Sequence, residues 1–277
     1  HRPSLGPRLQ VHPERMGDGV QGECQDQAGA VSGIVNGSPY ACGERWTLYH
    51  GECAEIMPTL DAGSVSAVVT SPPYAEQRAD QYGGIPEAEY PEWTVHWMEA
   101  LRPALHPLGS VMLNIRPNLR DGNLSDYMLH TRLAVRAAGW VEAEELIWYK
   151  PDGPPLGSPQ RPRRAWESVH WFSLSSQPWA DLTKNGTASL NPWSAGGRGV
   201  AQGFTANGTR KPVERITART QDLFSTRCNA VDKVEWNDHP AMYPEGVPAW
   251  LIRLACPPDG LVLDPFLGSG TTAVAAK

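Results

Sequence analysis

The segment Ser71-Pro72-Pro73-Tyr74 places a hydroxyl group, two prolines and an aromatic ring side by side. Proline donates no ladder hydrogen bond and has a fixed φ, so this segment ends a strand and holds its carbonyl groups rigidly. The Ser71 oxygen and the Pro72 carbonyl can accept hydrogen bonds from an amino group, while the Tyr74 ring can stack on a flat face. This arrangement suits a base taken out of its stack. A plain proline turn is the alternative that these residues alone leave open.

The residues before this turn are almost continuously apolar. Residues 65–69 include three valines and one alanine, which is typical of a short buried strand. Open α/β sheets bind their ligands just beyond the carboxyl ends of such strands. The turn is therefore expected at a ligand-binding edge of a sheet.

A second segment with ligand-binding character lies near the other end of the chain. The apolar residues 261–263 are followed by Asp-Pro-Phe-Leu-Gly-Ser-Gly-Thr-Thr at 264–272. Gly268 and Gly270 allow the backbone to approach a ligand closely, and the helix that begins next offers N–H groups to an anion. A lone Gly-x-Gly is weak evidence, whereas the complete segment after an apolar strand is specific.

Together, the two segments resemble the amino-group DNA methyltransferases that use S-adenosylmethionine. Thr-Ser-Pro-Pro-Tyr at 70–74 is similar to their catalytic motif, and residues 264–272 are similar to their cofactor loop. The catalytic motif comes first, which is the permuted order of the family's beta group. This order disfavours the ribosomal RNA and protein-glutamine methyltransferases, whose Pro-Pro motifs are related. The resemblance covers residues 46–277.

The resemblance implies a role for each matching residue. It assigns the catalytic role to Ser71, Pro72, Pro73 and Tyr74. It assigns cofactor contacts to Glu52, Thr70, Asp264, Pro265, Phe266, Gly268, Ser269, Gly270, Thr271 and Thr272. Glu52 stands where aspartate is commoner, and a solvated turn acid is the alternative there.

The serine of the catalytic motif indicates which atom is methylated in the family. Serine at position 71, where adenine enzymes commonly have aspartate, favours N4 of cytosine over N6 of adenine. Methylation at cytosine C5 would need an activated cysteine, and no Pro-Cys turn is present. The open alternatives are N6-adenine methylation and a catalytically impaired DNA-binding fragment or relative.

The charge of the chain is unevenly distributed. The formal net charge is −6, but residues 150–235 contain 12 Lys/Arg and 7 Asp/Glu, or +5, against −11 for the remainder. A basic region on an acidic body is expected for contact with the phosphates of double-stranded DNA. The candidate contacts are Arg161, Arg163, Arg164, Arg198, Arg210, Lys211, Arg215 and Arg219. A solvated basic insertion is the alternative.

The alternation of helical and strand patterns predicts an α/β fold. We expect a Rossmann-like, mostly parallel twisted sheet with helices on both faces and an inserted target-recognition region. Helices are predicted at 87–105 and 124–138, and a strand at 166–172 is expected near the sheet edge. The predicted divisions are a tail whose composition favours disorder (1–45), a catalytic half (46–174), a recognition region (175–237) and a cofactor half (238–277).

Composition narrows the remaining possibilities. No run of 18 apolar residues and no signal peptide is visible, so no membrane partner is expected. Five cysteines without a C-x-x-C spacing favour a reducing compartment and argue against a metal site. The family resemblance implies a cytoplasmic enzyme of a bacterial or phage modification system. Family members continue past the position of Lys277 into a strand that holds the cofactor ribose. We therefore expect a truncated sequence, or a homodimer or partner that supplies this strand.

Overall fold

The computed structural model describes residues 39–76, 84–120, 122–152, 160–186, 188–189, 216–227 and 243–277. Its strands, in chain order, are β1 (Ala41–Gly43), β2 (Trp46–Leu48), β3 (Val65–Thr70), β4 (Leu105–Ile115), β5 (Leu119–Arg120), β6 (Asn123–Leu124), β7 (Val141–Tyr149), β8 (Trp166–Ser173), β9 (Ala188–Ser189), β10 (Ile216–Thr217), β11 (Leu223–Ser225) and β12 (Leu261–Leu263). Its helices are α1 (Cys53–Ile56), α2 (Tyr90–Leu101), α3 (Tyr127–Ala137), α4 (Gly246–Ala255) and α5 (Thr271–Ala276), and a 3-10 turn follows α1.

Six strands form the central sheet in the order β11-β7-β8-β4-β3-β12. Three of its five pairings are parallel, and β8 runs antiparallel to both of its neighbours. Since βα crossovers produce parallel pairs, the alternation of helices and strands accounts for the parallel part. The predicted mostly parallel α/β sheet is confirmed.

The position of β8 corrects a prediction. The strand was expected near the sheet edge, but it lies inside the sheet, between β7 and β4. Two of its buried serines have hydrogen-bond partners there: the Ser168 hydroxyl donates to Glu145 at 2.7 Å, and the Ser173 hydroxyl donates to the Gly109 carbonyl at 2.7 Å. Polar side chains that find partners in this way can occupy a central strand.

Both faces of the sheet are covered, because successive strand residues point to opposite sides. Val68 and Val111 pack in one core cluster with residues of α2 and α3. Val69 and Met112, the next residues along, pack in a second cluster with residues of α4. The predicted helix cover on both faces is confirmed.

Helix α2 is shorter than predicted. Pro91 occupies its first turn, where the missing N–H costs nothing, and Trp97 and Leu101 are fully buried one turn apart. The predicted end at residue 105 is wrong, because Leu105 begins β4. A turn at 102–104 therefore links the helix directly to the next strand.

The N-terminal part of the described chain forms a separate hairpin. Strands β1 and β2 pair antiparallel, with Ala41 opposite Leu48, and do not join the central sheet. The predicted tail boundary at residue 45 falls inside this hairpin. Cys42 is in a disulfide, which the cysteine spacing did not predict, whereas Cys53 and Cys256 are free thiols.

Part of the interval assigned to the recognition region contributes to the central sheet. Strand β11 pairs with β7, and Phe224 is buried and stacks on Trp250 at 4.2 Å. Strands β9 and β10 form a small antiparallel pair. The division at 175–237 stays a prediction, since most of the interval lies outside the described residues.

The described ranges contain neither a membrane-spanning helix nor a candidate metal site. No helix there is long and apolar enough to cross a membrane. No group of three or more His, Cys, Asp or Glu residues there could hold a metal ion.

Candidate active site

The two sequence motifs meet at one edge of the central sheet. Strands β3 and β12 are parallel neighbours, so the residues that follow their carboxyl ends emerge together. The Thr70 hydroxyl donates to Asp264 Oδ1 at 2.6 Å, which joins the end of β3 to the loop after β12. The structure thus brings together the segments that the sequence singled out.

Asp264 organises the loop that follows β12. Its carboxylate accepts hydrogen bonds from the Thr272 hydroxyl at 2.6 Å and from the Phe266 N–H at 3.0 Å, in addition to Thr70. Burial raises the pKa of Asp264, and the three hydrogen bonds oppose this effect only in part. Tyr243 also bonds to the Thr272 hydroxyl. The hydroxyl protons of Thr70 and Thr272 are therefore committed to Asp264.

The same loop combines an anchored aromatic ring with an open glycine. Phe266 contacts Trp93 and Trp97, with ring centroids 5.3 and 5.5 Å apart. Gly268 and Gly270 have φ of 55° and 88°, in the left-handed region that favours glycine, and a Cβ at Gly270 would meet no atom within 4 Å. The tryptophans of α2 thus hold the loop in place, and its glycine end faces open space.

The catalytic turn is held through its prolines and its tyrosine. Pro72 is buried, and the Tyr90 hydroxyl donates to the Pro73 carbonyl at 3.0 Å. The Tyr74 hydroxyl donates to Glu167 Oε2 at 2.8 Å and lies 3.2 Å from Asn114 Oδ1. Burial, and secondly the Glu167 charge, raise the pKa of Tyr74, so its hydroxyl stays protonated.

Glu167 is a buried carboxylate with two cationic partners. Only 6% of the residue is exposed. Lys150 Nζ contacts Glu167 Oε1, and Arg116 Nη1 lies 3.3 Å from the same oxygen. Burial alone would raise the pKa of Glu167, but Lys150, Arg116 and the Tyr74 hydroxyl together lower it. Glu167 is therefore an anion at neutral pH.

The sequence did not identify four residues of this network. They are Asn114, Arg116, Lys150 and Glu167. The available signal was polar residues inside a strand with apolar neighbours: Asn114 in Val-Met-Leu-Asn-Ile at 111–115, and Glu167 and Ser168 in Trp-Glu-Ser-Val at 166–169. Such a residue must find a buried partner.

Four of the predicted DNA contacts lie among the described residues. Arg161 and Arg163 are exposed, and they donate to the carbonyls of Gly122 and of Lys150 and Pro151. Arg164 is half-buried and donates to the Pro117 carbonyl at 2.6 Å. These bonds hold three guanidinium groups in the loop before β8. Arg219 is exposed, and the remaining predicted contacts lie outside the described residues: Arg198, Arg210, Lys211 and Arg215.

Glu52 lies just before α1 and is half-buried. The next two residues, Cys53 and Ala54, pack against the same core cluster as Phe266. Helix α1 and the loop after β12 therefore pack against one cluster, and the cofactor contact of Glu52 stays a prediction.

Comparisons with known proteins match these features. The family described as DNA methylase, of the N6/N4 type, matches residues 65–277. The type II methyltransferase M.PvuII of Proteus hauseri is 26% identical over 262 residues, or 83% of this chain and 76% of the relative. M.ScaI of Streptomyces caespitosus is 27% identical over 260 residues, and the match covers 87% of this chain and 76% of that relative. Among solved structures, PvuII DNA methyltransferase (cytosine-N4-specific) has a TM-score of 0.63 at 26% identity and covers 83% of this chain and 77% of its own.

Proposed function

The chain belongs to the N6/N4 family of DNA methylases, and we propose that it transfers a methyl group from S-adenosylmethionine to the exocyclic N4 of a cytosine in double-stranded DNA. The observation that carries this proposal is the joining of the Ser71–Tyr74 turn to the Asp264 loop at one sheet edge. The similarity to PvuII DNA methyltransferase, which is cytosine-N4-specific, supports the choice of base.

The residues present fit the proposed methyl donor. A sulfonium donor is a cation, and Asp264 is a carboxylate whose partners in the described structure are neutral hydroxyl and N–H groups. Gly270, in the same loop, faces open space, since a Cβ there would meet no atom within 4 Å. Glu52, Pro265, Phe266, Gly268, Ser269 and Thr271 are the further residues that would hold the donor. When bound, it supplies an electrophilic methyl group.

The catalytic turn would prepare the target amine. An aromatic amine is a poor nucleophile because its lone pair is delocalised into the ring. The Ser71 hydroxyl oxygen and the Pro72 carbonyl would accept hydrogen bonds from the two N–H groups, which favours a more tetrahedral nitrogen with a freer lone pair. Tyr74 would stack on the base. The main task of the protein is then to align the nitrogen with the methyl group.

The arginines before β8 are the proposed phosphate contacts. Arg161, Arg163 and Arg164 follow Lys150 along the chain, and Lys150 already contacts Glu167 at the catalytic turn. Guanidinium groups pair well with phosphate oxygens. Binding there would bring the backbone of the DNA next to the turn that receives the base.

Methyl transfer to duplex DNA tests the proposal. Tritiated donor and unmethylated duplex are incubated with the protein, and the DNA is digested to nucleosides for mass spectrometry. N4-methylcytosine is expected. N6-methyladenine would overturn the choice of base, and transfer to RNA alone would overturn the choice of nucleic acid.

A matched pair of serine variants tests the role of the turn. Ser71→Ala should reduce transfer about 10- to 100-fold, because one acceptor for the amine is lost. Ser66 lies on β3, before the turn, so Ser66→Ala should retain wild-type transfer. Equal rates for the two variants would contradict the assignment of Ser71.

A further inference from the structure

The Tyr74 hydroxyl has one proton and two acceptors within reach. Glu167 Oε2 lies 2.8 Å away and Asn114 Oδ1 lies 3.2 Å away. The Asn114 amide N–H donates to the Ser168 carbonyl at 3.0 Å, which turns its oxygen towards Tyr74. Since the carboxylate is closer and charged, it receives the proton of Tyr74. The Tyr74 oxygen is then left as an acceptor for any other hydroxyl group.

The cations around Glu167 keep this direction fixed. A protonated carboxyl could donate to Tyr74 and reverse the bond, whereas an anionic carboxylate can only accept. Lys150 and Arg116 contact Glu167 directly, and both are mostly shielded from solvent, with 15% and 28% of their side chains exposed. The titratable or charged groups that face Glu167 are Tyr74, Arg116, Tyr127, Lys150 and Arg164.

The fixed hydrogen bond holds the aromatic ring of the catalytic turn. The Tyr74 hydroxyl donates to Glu167 at 2.8 Å, and the Tyr90 hydroxyl donates to the neighbouring Pro73 carbonyl at 3.0 Å. We propose that Glu167 is a positioning residue for methyl transfer: as an anionic acceptor for the Tyr74 hydroxyl, it holds the ring in the orientation in which it stacks on the target base. This inference rests on the proposed function.

The test measures single-turnover methyl transfer at saturating donor and DNA. Four proteins are compared: wild type, Glu167→Gln, Tyr74→Phe and the double variant. Glutamine is neutral and can also donate to Tyr74, so it no longer fixes the ring in one orientation. Glu167→Gln should therefore slow transfer about 10- to 100-fold while the Kd of the donor stays within about two-fold. Because Glu167 acts through Tyr74, the double variant should be no slower than the slower single variant.

Glu142→Gln is the matched control. Glu142 is also a shielded carboxylate in an ion pair, with 9% of its side chain exposed and Arg132 Nε at 2.7 Å, but it lies on β7 away from the turn. The Glu142→Gln variant should lose stability and keep the wild-type rate of transfer. Should Glu167→Gln fail to fold, Lys150→Met replaces it, and its transfer rate should fall at a higher pH than that of wild type, because Glu167 protonates more readily without Lys150.

The outcomes separate the two proposals. A wild-type rate in Glu167→Gln, or losses that multiply in the double variant, would overturn the positioning role while the active wild type still supports the proposed function. An unchanged pH profile in Lys150→Met would do the same. A folded wild-type protein that transfers no methyl group would overturn the proposed function and, with it, this inference.

Discussion

Two carboxylates connect the parts of the candidate site, and their environments are opposite. Glu167 is paired with the cations Lys150 and Arg116, and its pKa lies below the usual glutamate value. Asp264 receives only hydroxyl and N–H donors in the described structure, and its pKa lies above the usual aspartate value. Cations therefore compensate the negative charge of Glu167, whereas no cation in the described structure compensates that of Asp264.

This difference fits the two ligands that we propose. A cationic methyl donor can supply the charge that Asp264 lacks, which favours its binding next to that residue. On the other side, the excess of cations around Glu167 suits the phosphates of DNA. The comparison predicts that changes at the two carboxylates have separable effects.

The largest effect is expected from Asp264→Ala. Three donors, from Thr70, Thr272 and Phe266, would lose their acceptor, so the free energy of unfolding should fall by about 3 to 5 kcal/mol. Donor binding should be lost as well. Urea unfolding and calorimetry with S-adenosylmethionine measure the two effects. Asp264→Asn, which keeps an acceptor oxygen, should lose less than half as much stability, and equal losses would contradict the hydrogen-bond explanation.

A smaller effect is expected from Lys150→Met. Glu167 would keep Arg116 but lose its closest cation, which should cost about 2 kcal/mol of unfolding free energy at pH 7. A lowered pKa stabilises the fold above the unfolded-state pKa, and this contribution disappears as the pH falls through the folded-state pKa. The difference between variant and wild type should therefore shrink below about pH 4.5, the ordinary glutamate value.

Urea unfolding from pH 7 to pH 4 checks this dependence. Lys184→Met is the control, since Lys184 is exposed and its replacement should change stability by no more than about 0.5 kcal/mol. A loss in Lys150→Met that is the same at both ends of the pH range would contradict the electrostatic explanation.

The smallest effect is expected from Tyr90→Phe. The variant removes the hydroxyl that donates to the Pro73 carbonyl and keeps the buried ring, so it should cost about 1 kcal/mol of stability. Transfer should slow by about 3- to 10-fold because the turn is less well fixed, while donor affinity should not change. Transfer kinetics and calorimetry measure this, with Tyr40→Phe at an exposed position as the control. A weaker donor affinity in Tyr90→Phe would show that the two sides of the site are not separable.

The sequence predicted the parts of the site that lie within contiguous motifs. Local chemistry was sufficient for the Ser71–Tyr74 turn and for the loop after β12, because prolines and glycines restrict or permit particular backbones at their own positions. The sequence predicted that Thr70 and Thr272 contact the cofactor. It did not predict that their hydroxyl groups donate to Asp264.

The network beneath Tyr74 depended on strand order and could not be predicted. Glu167 comes next to Tyr74 because β8 enters the sheet antiparallel, with Ile115 opposite Ser168 and Trp148 opposite Glu167. A one-residue change of register would turn Glu167 to the other face. Local pattern contains no information on this register, and the sequence analysis placed this strand near the sheet edge instead.

The hydrogen bond between Thr70 and Asp264 spans 194 residues of sequence, and this has a consequence for folding. Contacts between distant residues form slowly, because a long loop must close first. At a synthesis rate of about 5–20 residues per second, about 10 to 40 s separate the appearance of the two residues on the ribosome. During that time β3 is without its neighbour β12, so a nascent chain exposes the catalytic turn before it can hold a methyl donor. A nascent chain that has not reached Asp264 therefore lacks one of the two segments that meet at the candidate site.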